Sequence, residues 1–132
     1  MISIRIASCG CGGLTAVCQG EPVRVSVCHC LACQQRTGSA FGVQARYEAD
    51  RVAVRGVSGQ YVRVGDAGTR TAFSFCPACA TTLLWRSDEA PDVVAVAVGA
   101  FADPGFPAPV RAVYEERAHP WLALTGGIER DW

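Results

Sequence analysis

Phe75-Cys76-Pro77-Ala78-Cys79-Ala80-Thr81 is the stretch that decides the fold. It stands between two short β-patterned runs, Thr69 to Phe75 and Thr82 to Arg86, and a Cys-x-x-Cys knuckle can turn two thiolates toward one tetrahedral ion. A second pair lies far away in sequence: Cys9-Gly10-Cys11, followed by Gly12 and Gly13, offers two more thiolates from a tight turn. Joining the two pairs through one ion would staple the first strand to a central hairpin and close a long loop. Four buried thiols without a metal are the bland alternative, and paired short spacings argue against it.

Outward from the knuckle the rhythm is all-β. Leu14 to Cys18, Val23 to Cys28, Phe41 to Tyr47, Arg51 to Arg55, Gln60 to Val64, Val93 to Val98 and Val110 to Tyr114 are short, β-branched or alternating, and separated by Gly, Pro or Asp. One segment differs. Leu31 to Thr37 contains Ala, Gln and Arg, good helix formers, and Gly38 can close the turn as a C-terminal cap. The expected architecture is therefore mainly β, with short antiparallel strands and one short helix, as a single domain over residues 1–132. There is no repeat and no linker; Asp103 to Pro109 is Pro-rich but short.

The helix follows a third cysteine group, Cys28-His29-Cys30-Leu31-Ala32-Cys33. Three thiolates leave one coordination position open, and an open position is what separates a working zinc site from a closed structural one. Cys18 or His29 could close it. His29 alternates with its cysteine neighbours along an extended segment and should point to the opposite side. Cys18 shares a strand face with Leu14 and Ala16 and reads as a small buried hydrophobe. Haem attachment would need His directly after a Cys-x-x-Cys pair, where Gln34 and Ala80 stand, and a thioredoxin-type dithiol would want a βαβ setting. Cysteine count alone leaves iron-sulfur chemistry open; zinc is the expectation, with two ions per chain.

Composition narrows the function classes. Twelve basic residues, all Arg, balance twelve acidic ones, so no global positive field exists to collect nucleic acid. The longest apolar run, Val93 to Ala102, is about half of what a membrane helix needs. The N-terminus has neither a basic region nor a continuous apolar one, so no export signal is read and the cytoplasm is the expected location. In that reducing compartment, eight cysteines point to metal or redox chemistry rather than disulfides.

These residues resemble the glutathione-dependent formaldehyde-activating enzyme family, whose members include centromere-protein-V-like domains. The resemblance runs through Cys9-Gly10-Cys11-Gly12, Cys28-His29-Cys30 with Cys33, Thr37-Gly38-Ser39, Phe41-Gly42, Phe75-Cys76 with Cys79, and Pro120-Trp121. It implies a β-tent fold, a structural zinc on Cys9, Cys11, Cys76 and Cys79, and a second zinc on Cys28, Cys30 and Cys33. Both ligand sets coincide with the spacing argument. Family members commonly carry basic residues after the third cysteine of the middle group and Gly after the C-terminal knuckle; here Gln34, Gln35 and Ala80 occupy those positions. Ala80, if held in the left-handed region that Gly would take, costs roughly 1 kcal/mol.

The implied activity is that of a carbon-sulfur lyase, similar to an S-(hydroxymethyl)glutathione synthase. Glutathione or another small thiol would bind the open zinc position as thiolate and add to formaldehyde or another aldehyde. Arg36 reads either as a solvated helix residue or as the partner of a substrate carboxylate. His119, before Pro120-Trp121, reads as an exposed loop histidine rather than a proton carrier. The competing class is a non-catalytic zinc module that binds a protein or small ligand.

Overall fold

The computed structural model describes residues 2–130, so positions 1, 131 and 132 of the expected 1–132 domain lie outside the described residues. The fold is mainly β, in two sheets. The smaller sheet has the order β1-β2-β5, from Ile4–Ser8, Leu14–Gln19 and Val52–Gly56, all antiparallel. The larger has eight strands in the order β11-β10-β3-β4-β9-β8-β7-β6. Its members are β3 (Arg24–Cys28), β4 (Gly42–Glu48), β6 (Gly59–Val64), β7 (Arg70–Phe75), β8 (Thr82–Ser87), β9 (Val93–Ala97), β10 (Arg111–Val113) and β11 (Glu129–Arg130). Each strand read from the sequence is present within a residue or two at most ends. Pairing is antiparallel except that β10 runs parallel to β3 and to β11. The long Pro-rich crossover before β10 makes this possible, since a parallel neighbour cannot be reached by a tight turn.

The sheets face one another across a single apolar layer. Ala7, Leu14, Ala16 and Cys18 of the small sheet pack with Val25, Ala45, Tyr47, Leu84, Val94 and Val96 of the large one, capped by Phe101 and Phe106. Strand β1 is absent from the sequence expectations. Its isoleucines alternate as a strand should, but Ile4 and Ile6 are exposed while Ala7 faces the core. Arg5, on the inward side, lies 5.2 Å over the Phe106 ring and pairs with Glu21 at 2.6 Å. The pattern is inverted because the edge of the layer accepts a guanidinium on an aromatic face in place of a branched side chain.

The helix α1 spans Leu31–Thr37 as expected. The Cys30 thiol caps its start, accepting from the Cys33 N–H at 3.3 Å, and Gly38 ends it at φ 67° with its N–H on the Gln34 carbonyl. Ala80 has φ 68° and is exposed. Changing Ala80→Gly should relieve the left-handed strain, partly offset by added freedom in the unfolded chain. The expected gain is roughly 2 to 4 °C in melting temperature; an unchanged or lower value would show that the knuckle bears no strain at this position.

Candidate metal centres

Two hairpin ends build the first centre. The β1–β2 turn carries Cys9 and Cys11 and is closed by the bond from the Cys9 N–H to the Leu14 carbonyl at 2.9 Å. The β7–β8 turn carries Cys76 and Cys79 and is closed by Cys76 N–H to the Thr81 carbonyl, also at 2.9 Å. All four Sγ atoms lie within 4.8 Å of one another. Sulfurs on a tetrahedron with metal–sulfur bonds of about 2.3 Å are separated by about 3.8 Å; the Cys9–Cys11 and Cys11–Cys76 separations are both 3.7 Å. The donor set therefore has the size of a metal tetrahedron.

Thr81 joins the two turns. Its hydroxyl accepts from the Gly10 N–H at 3.1 Å and sits 3.3 Å from the Cys79 sulfur. Hydrogen bonding by that hydroxyl, then by backbone N–H groups, holds the Cys79 thiol down at about 5. The Leu14 N–H donates to the Cys9 sulfur at 3.2 Å. Such outer contacts orient thiolates toward an ion. Sequence reasoning misses Thr81, although its place two residues after the knuckle is an available signal.

The second centre sits where β3 ends and α1 begins. Cys28, Cys30 and Cys33 bring their sulfurs within 4.8 Å of one another. Cys28 is buried on the sheet face that also carries Gly42, its cross-strand partner. A Cβ at Gly42 would meet Arg36 Nη2 at 3.0 Å and the Cys33 Cβ at 3.5 Å, so glycine at this position lets the helix lie close to the strand. A hydrogen bond from Cys28, with smaller help from Cys30 and Arg36, holds Cys33 down at about 5, while Cys28 is pushed up by that same contact and by burial. The three sulfurs thus already favour a thiolate, the form a metal binds.

The two residues that could close this site stand elsewhere. His29 is buried against Phe41, ring centroids 6.0 Å apart, and stands outside the sulfur group. Burial lowers its pKa. Cys18 is fully buried in the core, and burial raises its thiol to about 11. Among the described residues, the group has three ligand atoms.

Two sequence expectations need correction. Of the two readings of Arg36, the solvated one gives way: its guanidinium lies 4.1 Å over the Trp85 ring and 5.6 Å from the Phe73 ring. An aromatic platform offset from the helix explains this, and sequence spacing does not reveal it. His119 is half-buried rather than an exposed loop residue, with its Nε2 donating to Gln34 Oε1 at 2.9 Å and its ring beside Trp121. Gln34 in turn gives its amide N–H groups to the carbonyls of His29 and Arg117, at 2.9 and 3.0 Å. Gln34 is therefore a clamp between helix and C-terminal segment.

A sequence profile described as glutathione-dependent formaldehyde-activating enzyme matches residues 4–117; Pro120-Trp121 lies beyond the matched span. No curated protein matches the chain. A crystal structure of a Rhodobacter sphaeroides protein, a structural-genomics target, superposes with a TM-score of 0.55 over 77% of this chain and 90% of that one, at 19% identity. That likeness concerns the fold. No helix among the described residues is long and apolar enough to cross a membrane.

Proposed function

The chain belongs to the glutathione-dependent formaldehyde-activating enzyme family, and on that premise we propose that it is a zinc-dependent enzyme joining a small thiol, glutathione or a relative, to formaldehyde or another aldehyde. The thiol S–H and the aldehyde C=O become a C–S bond and a hydroxyl; the reverse direction is carbon-sulfur lysis. The observation that carries this reading is a group of three thiols, one of them held low in pKa, beside an arginine that lines an open cleft.

On this reading Cys9, Cys11, Cys76 and Cys79 hold a structural zinc, and Cys28, Cys30 and Cys33 hold the second. Zinc bound there would supply a positive centre that favours the incoming thiol as thiolate. The chain supplies the rest. Cys30 links this ligand set to the first turn of α1, so the cap and the site share one sulfur. Arg36, fixed by Trp85, keeps positive charge beside Cys33 and offers guanidinium N–H groups to a substrate carboxylate. The thiol proton leaves to solvent, and water protonates the aldehyde oxygen. Residues 1–132 act as one domain, and a reducing cytoplasm, where unpaired thiols persist, is the fitting location.

Cobalt substitution and rate measurement test the reading together. Glutathione should change the thiolate-to-metal absorption of the three-cysteine site, and the protein should accelerate formation of the S-hydroxymethyl adduct above the uncatalysed rate. Cys30→Ser should lose both effects. Neither effect at millimolar thiol would leave a non-catalytic zinc module.

A further inference from the structure

A cleft of about 300 Å³ is lined by Ala32, Gln35 and Arg36 of α1, the helix that also carries Cys33. Arg36 from α1 and Arg63 from β6 line it, with the rings of Tyr61, Phe73 and Phe75, and no Asp or Glu is among its lining residues. The two guanidinium carbons lie 5.6 and 5.8 Å from the centroid of the same Phe73 ring. Two like charges are thus held around one aromatic side chain. The ion pairs recorded among the described residues engage Arg5, Arg111 and Arg130, and neither cleft arginine.

Arg63 carries a further signal. Its Nε is buried yet has no hydrogen-bond partner. A desolvated guanidinium N–H without an acceptor is costly, and because burial shuts this one off from the cleft, a bound oxyanion would be met by the terminal N–H groups of Arg63. The cleft is small and ring-walled, which suits the tail of a small molecule.

Resting on the thiol-aldehyde reading, we propose that Arg63, together with Arg36, binds a carboxylate in the tail of the thiol and makes the protein selective for acidic thiols over neutral ones. Arg63 is a specificity residue here. It lies outside the cysteine groups and on a different element from Arg36. Its conformation over Phe73 pre-orders the charge, so little side-chain freedom is lost on binding.

S-methylglutathione separates the tail from the sulfur, since its blocked thiol cannot become a thiolate. Calorimetry in phosphate-free buffer should find the acid bound about tenfold more tightly than its dimethyl ester. Arg63→Gln should lose about tenfold for the acid and nothing for the ester, with Arg63→Lys between the two. Equal binding of acid and ester by the unaltered protein would overturn the inference, as would a loss in Arg63→Gln that is the same for both. Displacement by inorganic phosphate with no preference between acid and ester would assign the cleft to free oxyanions and also overturn it. The ester comparison on the unaltered protein decides the matter even if a variant fails to fold. Should acid-selective binding persist without accelerated adduct formation, the proposed reaction fails and the cleft assignment stands. Accelerated adduct formation that is indifferent to esterification does the reverse: the reaction stands and the cleft assignment fails.

Discussion

Cys76→Ser is expected to abolish cooperative melting in zinc-containing buffer, whereas Cys30→Ser should remain folded, with a melting temperature lowered by only a few degrees. Cys76 is buried in a four-sulfur group that joins two hairpin turns distant in sequence. Structural zinc contributes roughly 10–16 kcal/mol to such sites, comparable with the entire net stability of a domain, about 5–15 kcal/mol. Losing one ligand of four therefore threatens the fold itself. Cys30 has a local role as the N-terminal cap of α1, and a serine hydroxyl can accept the Cys33 N–H in its place. Calorimetric melting of both variants, with metal content measured alongside, makes the comparison. Equal loss in the two would mean that both centres are structural.

The second large effect is expected at Gly56. This residue ends β5 at φ 103°, and a Cβ there would lie 2.0 Å from the Gly13 carbonyl oxygen. The Cβ is fixed by the backbone that bears it and the atoms it meets are backbone, so no rotamer change relieves the overlap. Gly13 follows the Cys9–Cys11 turn, and its own Cβ position is 3.5 Å from the Cys11 sulfur. Gly56→Ala should thus push apart β2 and β5 and displace a ligand of the four-sulfur group. The expected cost is about 3 kcal/mol or more. Gly20→Ala provides the comparison: φ is 76° but nothing lies within 4 Å of the added atom, so only the left-handed penalty of roughly 1 kcal/mol applies. Denaturant unfolding of the pair would sink the argument if the two losses were equal.

Much of this molecule is legible in its sequence because punctuation and metal chemistry act locally. The Gly, Pro and Asp residues between apolar runs mark the strands, and Gly38 marks the helix end. The cysteine pairs foretell which hairpins meet. What escapes such reading depends on contacts across the sheets. β1 hides because Ile4 and Ile6 face outward and Arg5 inward. β11, of two residues, is held by register with β10 rather than by its own pattern. The sequence leaves Arg36 between a solvated residue and a carboxylate partner because Trp85 and Phe73, which hold it, lie on strands 49 and 37 positions away. Gln34 reads as a missing cation; its role as a clamp depends on carbonyls from two separate segments. Thr81 and Arg63 belong to the same class, residues whose work is defined by what the fold brings beside them.

The two cysteine groups also become complete at different moments of biosynthesis. Cys28, Cys30 and Cys33 emerge within six consecutive positions, so the nascent chain can offer all three thiolates almost at once. Cys9 and Cys11 are made earlier, yet Cys76 is 65 residues downstream of Cys11. At about 5–20 residues per second, the first pair waits roughly 3 to 13 s for its partners. Through that interval two neighbouring thiols wait for their partners, while all three thiols of the other group have already been made. The order of translation thus runs opposite to the order of structural need.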